Sequence, residues 1–311
     1  MTPPYCSGRQ NLDVLWSRKM PTYSARPRGG STSAGISRAS STEEEQWATL
    51  SNVNTQVQTA TNPRTQGALD SVASLFKEVD WLIPPYFTLP FLANLAHAIE
   101  VASPAERLKV IQVILTDAYT PDYLARAIIE RYSKTTYVQE FKRDIDESIR
   151  AYFVGYKRVA IVALVPIVEG IVREVATSHG RNIGRGTAKL NEEFQKFVDR
   201  EIQSLHCYGD RVVMLESLRS FVRENFLIDT DSYTGFNELN RHGILHRIFR
   251  NFGDDLNFFR LINLLDLLCF AICLEKGGAI TTPPTTPESL KLARHYMVLK
   301  SMNANMTPFG L

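Results

Sequence analysis

From Ala68 onward, apolar residues recur at three- and four-residue intervals, and the strict alternation of a half-buried strand is nearly absent. The pattern predicts a run of helices. "SPAERLKVIQVIL" opens with Ser103 as N-cap, Pro104 at the first helical position and Glu106 closing a capping box. "TPDYLARAIIERYS" repeats the device with Thr120 and Pro121. Residues 135–176 predict two helices, or one long bent helix with Pro166 at its kink. Amphipathic segments at 188–205 and 211–226 follow. A turn-rich piece, "DTDSYTG", then leads into "NELNRHGILHRIFRNF" and a long apolar helix running to about residue 275. The expected class is all-α, with no internal repeat at solenoid periods.

Composition adds boundaries to this picture. Residues 1–66 are rich in Ser, Thr, Pro, Gly and Gln and hold too little apolar surface to offset the entropy of ordering, so they are expected to be disordered. The Gly277–Gly278 pair suits a helix end, and the Pro- and Thr-rich run behind it suits a linker to a short tail helix. The formal net charge of +2 excludes a generally basic nucleic-acid binder, so any RNA contact has to come from a local patch. The N-terminal residues lack the apolar core of a signal peptide. Of the two most apolar runs, 159–172 is short and contains Glu169, while 256–274 is interrupted by Arg260, Asn263 and Asp266. No membrane partner is expected, and a cytoplasmic protein is. Cys6, Cys207, Cys269 and Cys273 form no CxxC pair, which fits reduced thiols.

The candidate chemistry lies between Asn237 and Phe252. Arg241, His242 and His246 sit in an otherwise apolar stretch. At about 100° per residue the two histidines share a helix face, while Arg241 and His246 lie roughly 140° apart. The arginine can still converge with the histidines at a helix start, where its long stem reaches around. Three readings stay open. Arg241 and His242 brace or cap a helix while His246 bonds internally. Alternatively, His242 and His246 form an i, i+4 metal pair, which needs a further ligand that His97, His179, His206 and His295 do not supply by spacing. In the third reading a histidine acts as base on a ribose 2′-hydroxyl while the arginine fork holds the phosphate. No metal or cofactor is expected.

Neighbouring residues extend the third reading. Arg241, Arg247, Arg250 and Arg260 fall within about twenty residues, interleaved with Phe249, Phe252, Phe258 and Phe259, a composition that can hold a backbone and stack bases, or can form core and a solvated face. Glu169 and Arg173 stand at i, i+4 in a very apolar helix, so Glu169 either pairs internally or reaches the Arg241/His246 cleft. Tyr233 and Asn240 are softer candidates, with Asn240 equally suited to cap a helix. "HGRNIGRGTAK" lacks the ending of a phosphate loop and reads as an interhelical connection.

The segment Arg241-His242-Gly-Ile-Leu-His246 resembles the R-x4–6-H signature of the HEPN superfamily. "LNRHGILH" before the Leu-rich "LNFFRLINLLDLL", and "ALVPIVEGIVRE" with its embedded Glu169, are similar to a group of bacterial HEPN-like proteins. The likeness covers roughly 151–275. It implies a HEPN-like bundle there, preceded by a helical region of unidentified role at 67–150 and followed by linker and tail at 276–311. It further implies a homodimer with a composite site, and a metal-independent endoribonuclease of phage defence or a toxin–antitoxin system, with a possible antitoxin or defence partner protein. Arg241 would hold the phosphate, His246 would be the general acid or base, and His242, Asn240 and Glu169 would be accessory. Arg247, Arg250 and Arg260 would contact RNA, and cleavage would leave a 2′,3′-cyclic phosphate. Other members are catalytically silent and bind RNA, a nucleotide or a protein partner. Arg247 departs from the Gly often found after this histidine.

Overall fold

A computed structural model of the chain describes residues 63–179, 184, 186–205, 209–235 and 237–305. The composition-based expectations for residues 1–62, and for Cys6, Cys207 and His206, lie outside the described residues. Among the described residues there are helices and no strand, so the chain is all-α. In order these are α1 (Pro63–Glu78), α2 (Leu89–Val101), α3 (Arg107–Ala118), α4 (Pro121–Arg126), α5 (Lys142–Val154), α6 (Lys157–Thr177), α7 (Thr187–Ser204), α8 (Gly209–Phe221), α9 (Arg241–Leu245), α10 (Asp255–Lys276) and α11 (Pro287–Asn305). Wider π turns continue α4 over Ala127–Tyr132 and α8 over Val222–Phe226.

Local chemistry sets the helix ends. The Thr120 hydroxyl accepts from the Tyr123 amide at 3.1 Å, and Pro121 follows, as the sequence predicts. At Ser103 the outcome differs: its hydroxyl donates to the Glu106 carboxylate at 2.6 Å, the chain turns once, and α3 begins at Arg107. Of the two forms expected for residues 135–176 the structure takes two helices, with the break at Gly155 and not at Pro166. Gly155 takes φ 102°, and the amides of Gly155 and Tyr156 return to the carbonyls of Tyr152 and Ala151, closing α5 in a Schellman turn. Pro166 stays inside α6 on its exposed face, one turn after the exposed Val162, whose carbonyl loses its helical donor to the proline ring.

The core is built around α10. Every residue from Leu256 to Cys273 is buried, and the helix packs against α3, α6, α7 and α8. It is long and apolar enough to cross a membrane, yet it lies wholly inside the protein. Four polar side chains recur along it at three-residue intervals, and each is tied to another segment. Asn257 Nδ2 donates to the carbonyls of Asn237 and Phe252, and Arg260 donates to those of Val79 and Asp80. Asn263 Nδ2 reaches the Leu82 carbonyl. Asp266 accepts from Arg131, Tyr123 and Tyr132, with the Arg131 guanidinium 3.5 Å above the Tyr86 ring. A charge this deep needs such partners, because desolvation is otherwise uncompensated.

The same core runs from Leu69 to Tyr296, so the expected cuts after residues 150 and 275 fall inside one continuous cluster. Helix α6 packs on α5, and α11 folds back onto α4 and α5 with Ala293 and Tyr296 buried. Cys269 and Cys273 are free and buried, their thiols pushed up by burial.

Candidate functional site

The Arg–His stretch does not lead directly into the long helix, as its sequence suggests. It forms its own short helix, α9, followed by a loop, and α10 begins only at Asp255 behind the Asp254 cap, whose carboxylate accepts from the Asn257 amide at 2.7 Å. Asn240 caps α9: its Oδ1 accepts from the Gly243 amide at 2.8 Å, and its Nδ2 donates to the carbonyls of Asn225 and Ile228 at 2.9 Å. The side chain is fully buried, so Asn240 positions the stretch and cannot contact a ligand.

Arg241 stands at the start of α9 and extends to α6. Its Nε donates to Glu169 Oε2 at 2.6 Å, while Glu169 Oε1 accepts from Arg173 at 3.0 Å. The internal pair and the contact with Arg241, alternatives in the sequence, thus occur together on one carboxylate. Arg173 also donates to the Gly184 carbonyl at 2.6 Å. The two terminal amino groups of Arg241 have no protein partner among the described residues. His242 and His246 share a face, with ring centroids 4.2 Å apart and planes at 49°. His242 is half-buried and His246 is exposed at the helix end.

Arg247 closes α9. Its φ of 56° is left-handed, its amide returns to the Ile244 carbonyl at 3.1 Å, and the Ile248 amide returns to Gly243 at 2.8 Å. This is the Schellman turn seen at Gly155, with arginine where glycine fits best. The departure noted in the sequence therefore lies in backbone conformation, and the exposed Arg247 side chain points away from the core. Gly243 is needed beneath it, since a Cβ there would stand 2.4 Å from the Phe249 ring. Beyond the turn, Glu238 accepts from the amides of Arg250 and Asn251 and from the Asn251 side chain. These donors hold its carboxyl below the ordinary glutamate value.

Between α6 and this loop runs a groove of about 880 Å³. Val162, Ala163, Ile244 and Phe249 line its apolar part, and Arg158, Arg247 and Arg250 line it with charge. Arg158, which the sequence reading missed, lies 5.6 Å over the Phe252 ring. Arg260 does not join this set. It is 1% exposed, spends its donors on core carbonyls and Asn257, and stacks over Trp81, so the expected RNA contact by Arg260 is corrected to a core tie. Burial pushes its guanidinium down to about 10. Phe252, Phe258 and Phe259 are likewise core, which leaves Phe249 as the one partly exposed ring of the four. The Tyr233 hydroxyl donates to Asn237 Oδ1 at 2.6 Å, and its ring packs 5.1 Å from Phe249.

The short helix carries a guanidinium anchored from behind and an imidazole pair with one member in solvent, and two exposed arginines line a groove whose walls include neither Arg241 nor the histidines. That set can hold an anion and move a proton. Among the described residues no group of three His, Cys, Asp or Glu is placed to bind a metal ion. Comparison of the chain with protein-family models, with curated proteins and with solved structures finds no match.

Proposed function

We propose that the protein cleaves RNA at the Arg241–His246 stretch by a metal-independent, HEPN-type mechanism. One observation supports the reading: Glu169 holds Arg241 by its Nε and leaves both terminal amino groups without a partner among the described residues, on the same short helix that ends at the exposed His246. A planar fork anchored in this way suits two oxygens of a phosphodiester. In the proposed step His246 takes the proton of a ribose 2′-hydroxyl, the 2′-oxygen attacks phosphorus, and the P–O5′ bond breaks as the 5′-oxygen takes a proton from water, which the imidazolium then replaces. The products are a 2′,3′-cyclic phosphate and a 5′-hydroxyl. Arg241 neutralises the charge that builds on the phosphate oxygens, Arg247 and Arg250 hold flanking phosphates, and Phe249 offers a surface for a base. The resemblance extends this to an effector of phage defence or a toxin–antitoxin system.

A second reading is favoured by the same Glu169 contact. A carboxylate at 2.6 Å already neutralises much of the Arg241 charge, which suits a catalytically silent module that binds RNA, a nucleotide or a protein. The test is RNA cleavage in EDTA by the wild type, Arg241→Ala and His246→Ala at matched concentration. An acid–base histidine contributes about 10²–10⁴-fold. Loss of cleavage in both folded variants supports the proposal. Equal cleavage by the variants overturns it, and salt-sensitive binding without cleavage selects the second reading.

A further inference from the structure

The 880 Å³ groove between α6 and the loop after α9 has two unlike ends. Arg158, in the first turn of α6, marks one of them. Its stem packs against Gly253, where an added Cβ would stand 2.3 Å from Arg158 Cγ, and its guanidinium lies 5.6 Å over the Phe252 ring. Donation from the Asn251 amide and, as a smaller effect, the charge of Arg158 hold the Glu238 carboxyl low. That carboxylate also accepts from the Arg250 amide at 2.9 Å, so Arg158 and Arg250 share the Glu238 end of the groove. One turn further along α6, Val162 and Ala163 line the other end.

Charge and exposure make the groove amphipathic. Three arginines, Arg158, Arg247 and Arg250, line it and no carboxylate does. None of the three forms an ion pair among the described residues. The apolar wall is open to water, with Val159 60% exposed and Val162 40%, and the core residues Ile244 and Phe252 lie beneath it. Exposed apolar surface beside unpaired cations calls for a ligand that satisfies both. An RNA strand held by Arg247 and Arg250 leaves the apolar wall wet. A neutral lipid covers that wall and leaves the arginines without an anion.

From this we infer that the groove binds a phosphate monoester carrying a single aliphatic chain. The head sits at Arg158 and Arg250, and the tail runs along Val159, Val162 and Ala163. A doubly charged head suits several unpaired guanidiniums, whose planar forks match phosphate oxygens. The tail takes the α6 wall out of water over the distance from Arg158 to Ala163, about 8 Å along the helix axis. The ligand shares Arg247 and Arg250 with the phosphates of the proposed RNA contact, so the two exclude one another where both bind.

The site stands on the groove and not on the ribonuclease reading, so its test contains no RNA. Binding of butyl, hexyl, octyl and decyl phosphate to the full chain is measured by calorimetry, below their micelle concentrations. At pH 8 a phosphate monoester carries nearly two charges. One molecule per chain is expected. Affinity rises about fourfold for each methylene the groove covers and levels off once the tail passes Ala163. Octanol and inorganic phosphate bind at least tenfold more weakly than octyl phosphate. Arg158→Gln combined with Arg250→Gln lowers the affinity for octyl phosphate tenfold or more and keeps the dependence on chain length. Ala163→Trp fills the apolar end and does the reverse: butyl phosphate still binds, and longer chains gain nothing. The wild-type series decides the question on its own should a variant fail to fold. Affinity that ignores chain length overturns the inference, as does inorganic phosphate that binds as tightly as octyl phosphate. A folded arginine double variant that binds like the wild type also overturns it. Binding to phosphatidic acid vesicles without binding of monomeric octyl phosphate overturns it in favour of a lipid surface.

Discussion

Glu169 accepts from Arg241 through one oxygen and from Arg173 through the other, joining α9 to the apolar helix α6 by a single carboxylate. Both partners are charged, and the carboxylate is mostly buried, so the contact is worth more than an exposed pair. Replacing Glu169 by Gln keeps the shape and removes the charge. The expected cost is about 1–2 kcal/mol in urea unfolding. Under the proposed function, cleavage also falls about tenfold or more, because the guanidinium fork is no longer held in one orientation. Unchanged stability and unchanged cleavage together would show that the contact does not persist in solution.

Asp266 carries the deepest charge of the fold and is surrounded by Arg131, Tyr123 and Tyr132. Removing one partner of such a pair leaves the other buried without compensation, so Asp266→Ala is expected to cost about 3–5 kcal/mol. Replacing both members, Arg131→Met with Asp266→Leu, removes the uncompensated charge. The double variant should regain much of the loss. Denaturant unfolding of Arg131→Met, Asp266→Leu and the double variant measures the coupling, and additive losses would contradict it.

Glu238 links the loop after α9 to pH. Its folded carboxyl lies below the ordinary value of 4.5, chiefly because the Asn251 amide donates to its charged form. A depressed folded value stabilises the loop at pH above the unfolded value, and that stabilisation disappears as pH falls through the folded one. The Arg250 and Asn251 amide resonances should therefore shift together on acidification, with a midpoint below 4.5. In Glu238→Gln the shared transition should vanish while the α10 resonances stay in place. A transition that persists in the variant would assign the titration to another group.

What the sequence revealed depended on how local the cause was. Thr120–Pro121 is a complete start signal within four residues, and the structure follows it. Pro166 was a misleading break, because it sits on the exposed face of α6 while Gly155 supplies the left-handed turn that ends α5. Arg260 looked like part of a basic surface from its neighbours in sequence. Its true signal was the three-residue recurrence of Asn257, Arg260, Asn263 and Asp266 in an apolar helix, since buried polar groups at regular spacing require partners elsewhere. The groove beside Val159 and Val162 was not legible at all. Their exposure is set by which helices fail to cover α6, and that is a property of tertiary packing.

Arg247 holds the left-handed position of the α9 Schellman turn, which costs a residue with a Cβ about 1–2 kcal/mol relative to its usual conformations. Glycine escapes that cost at the expense of more unfolded-chain entropy. Arg247→Gly is therefore expected to stabilise the fold by about 0.5–1 kcal/mol and raise the melting temperature by a few degrees. Arg247→Ala keeps the strain and gains nothing comparable, so the pair of variants separates backbone relief from loss of the side chain. Both variants remove the same cation. If Arg247 contacts a phosphate, both lower the salt slope of RNA binding by about one, although only the glycine variant is more stable. Equal melting temperatures for the two would place the origin of the effect outside the turn, and an unchanged salt slope would remove Arg247 from the RNA contact.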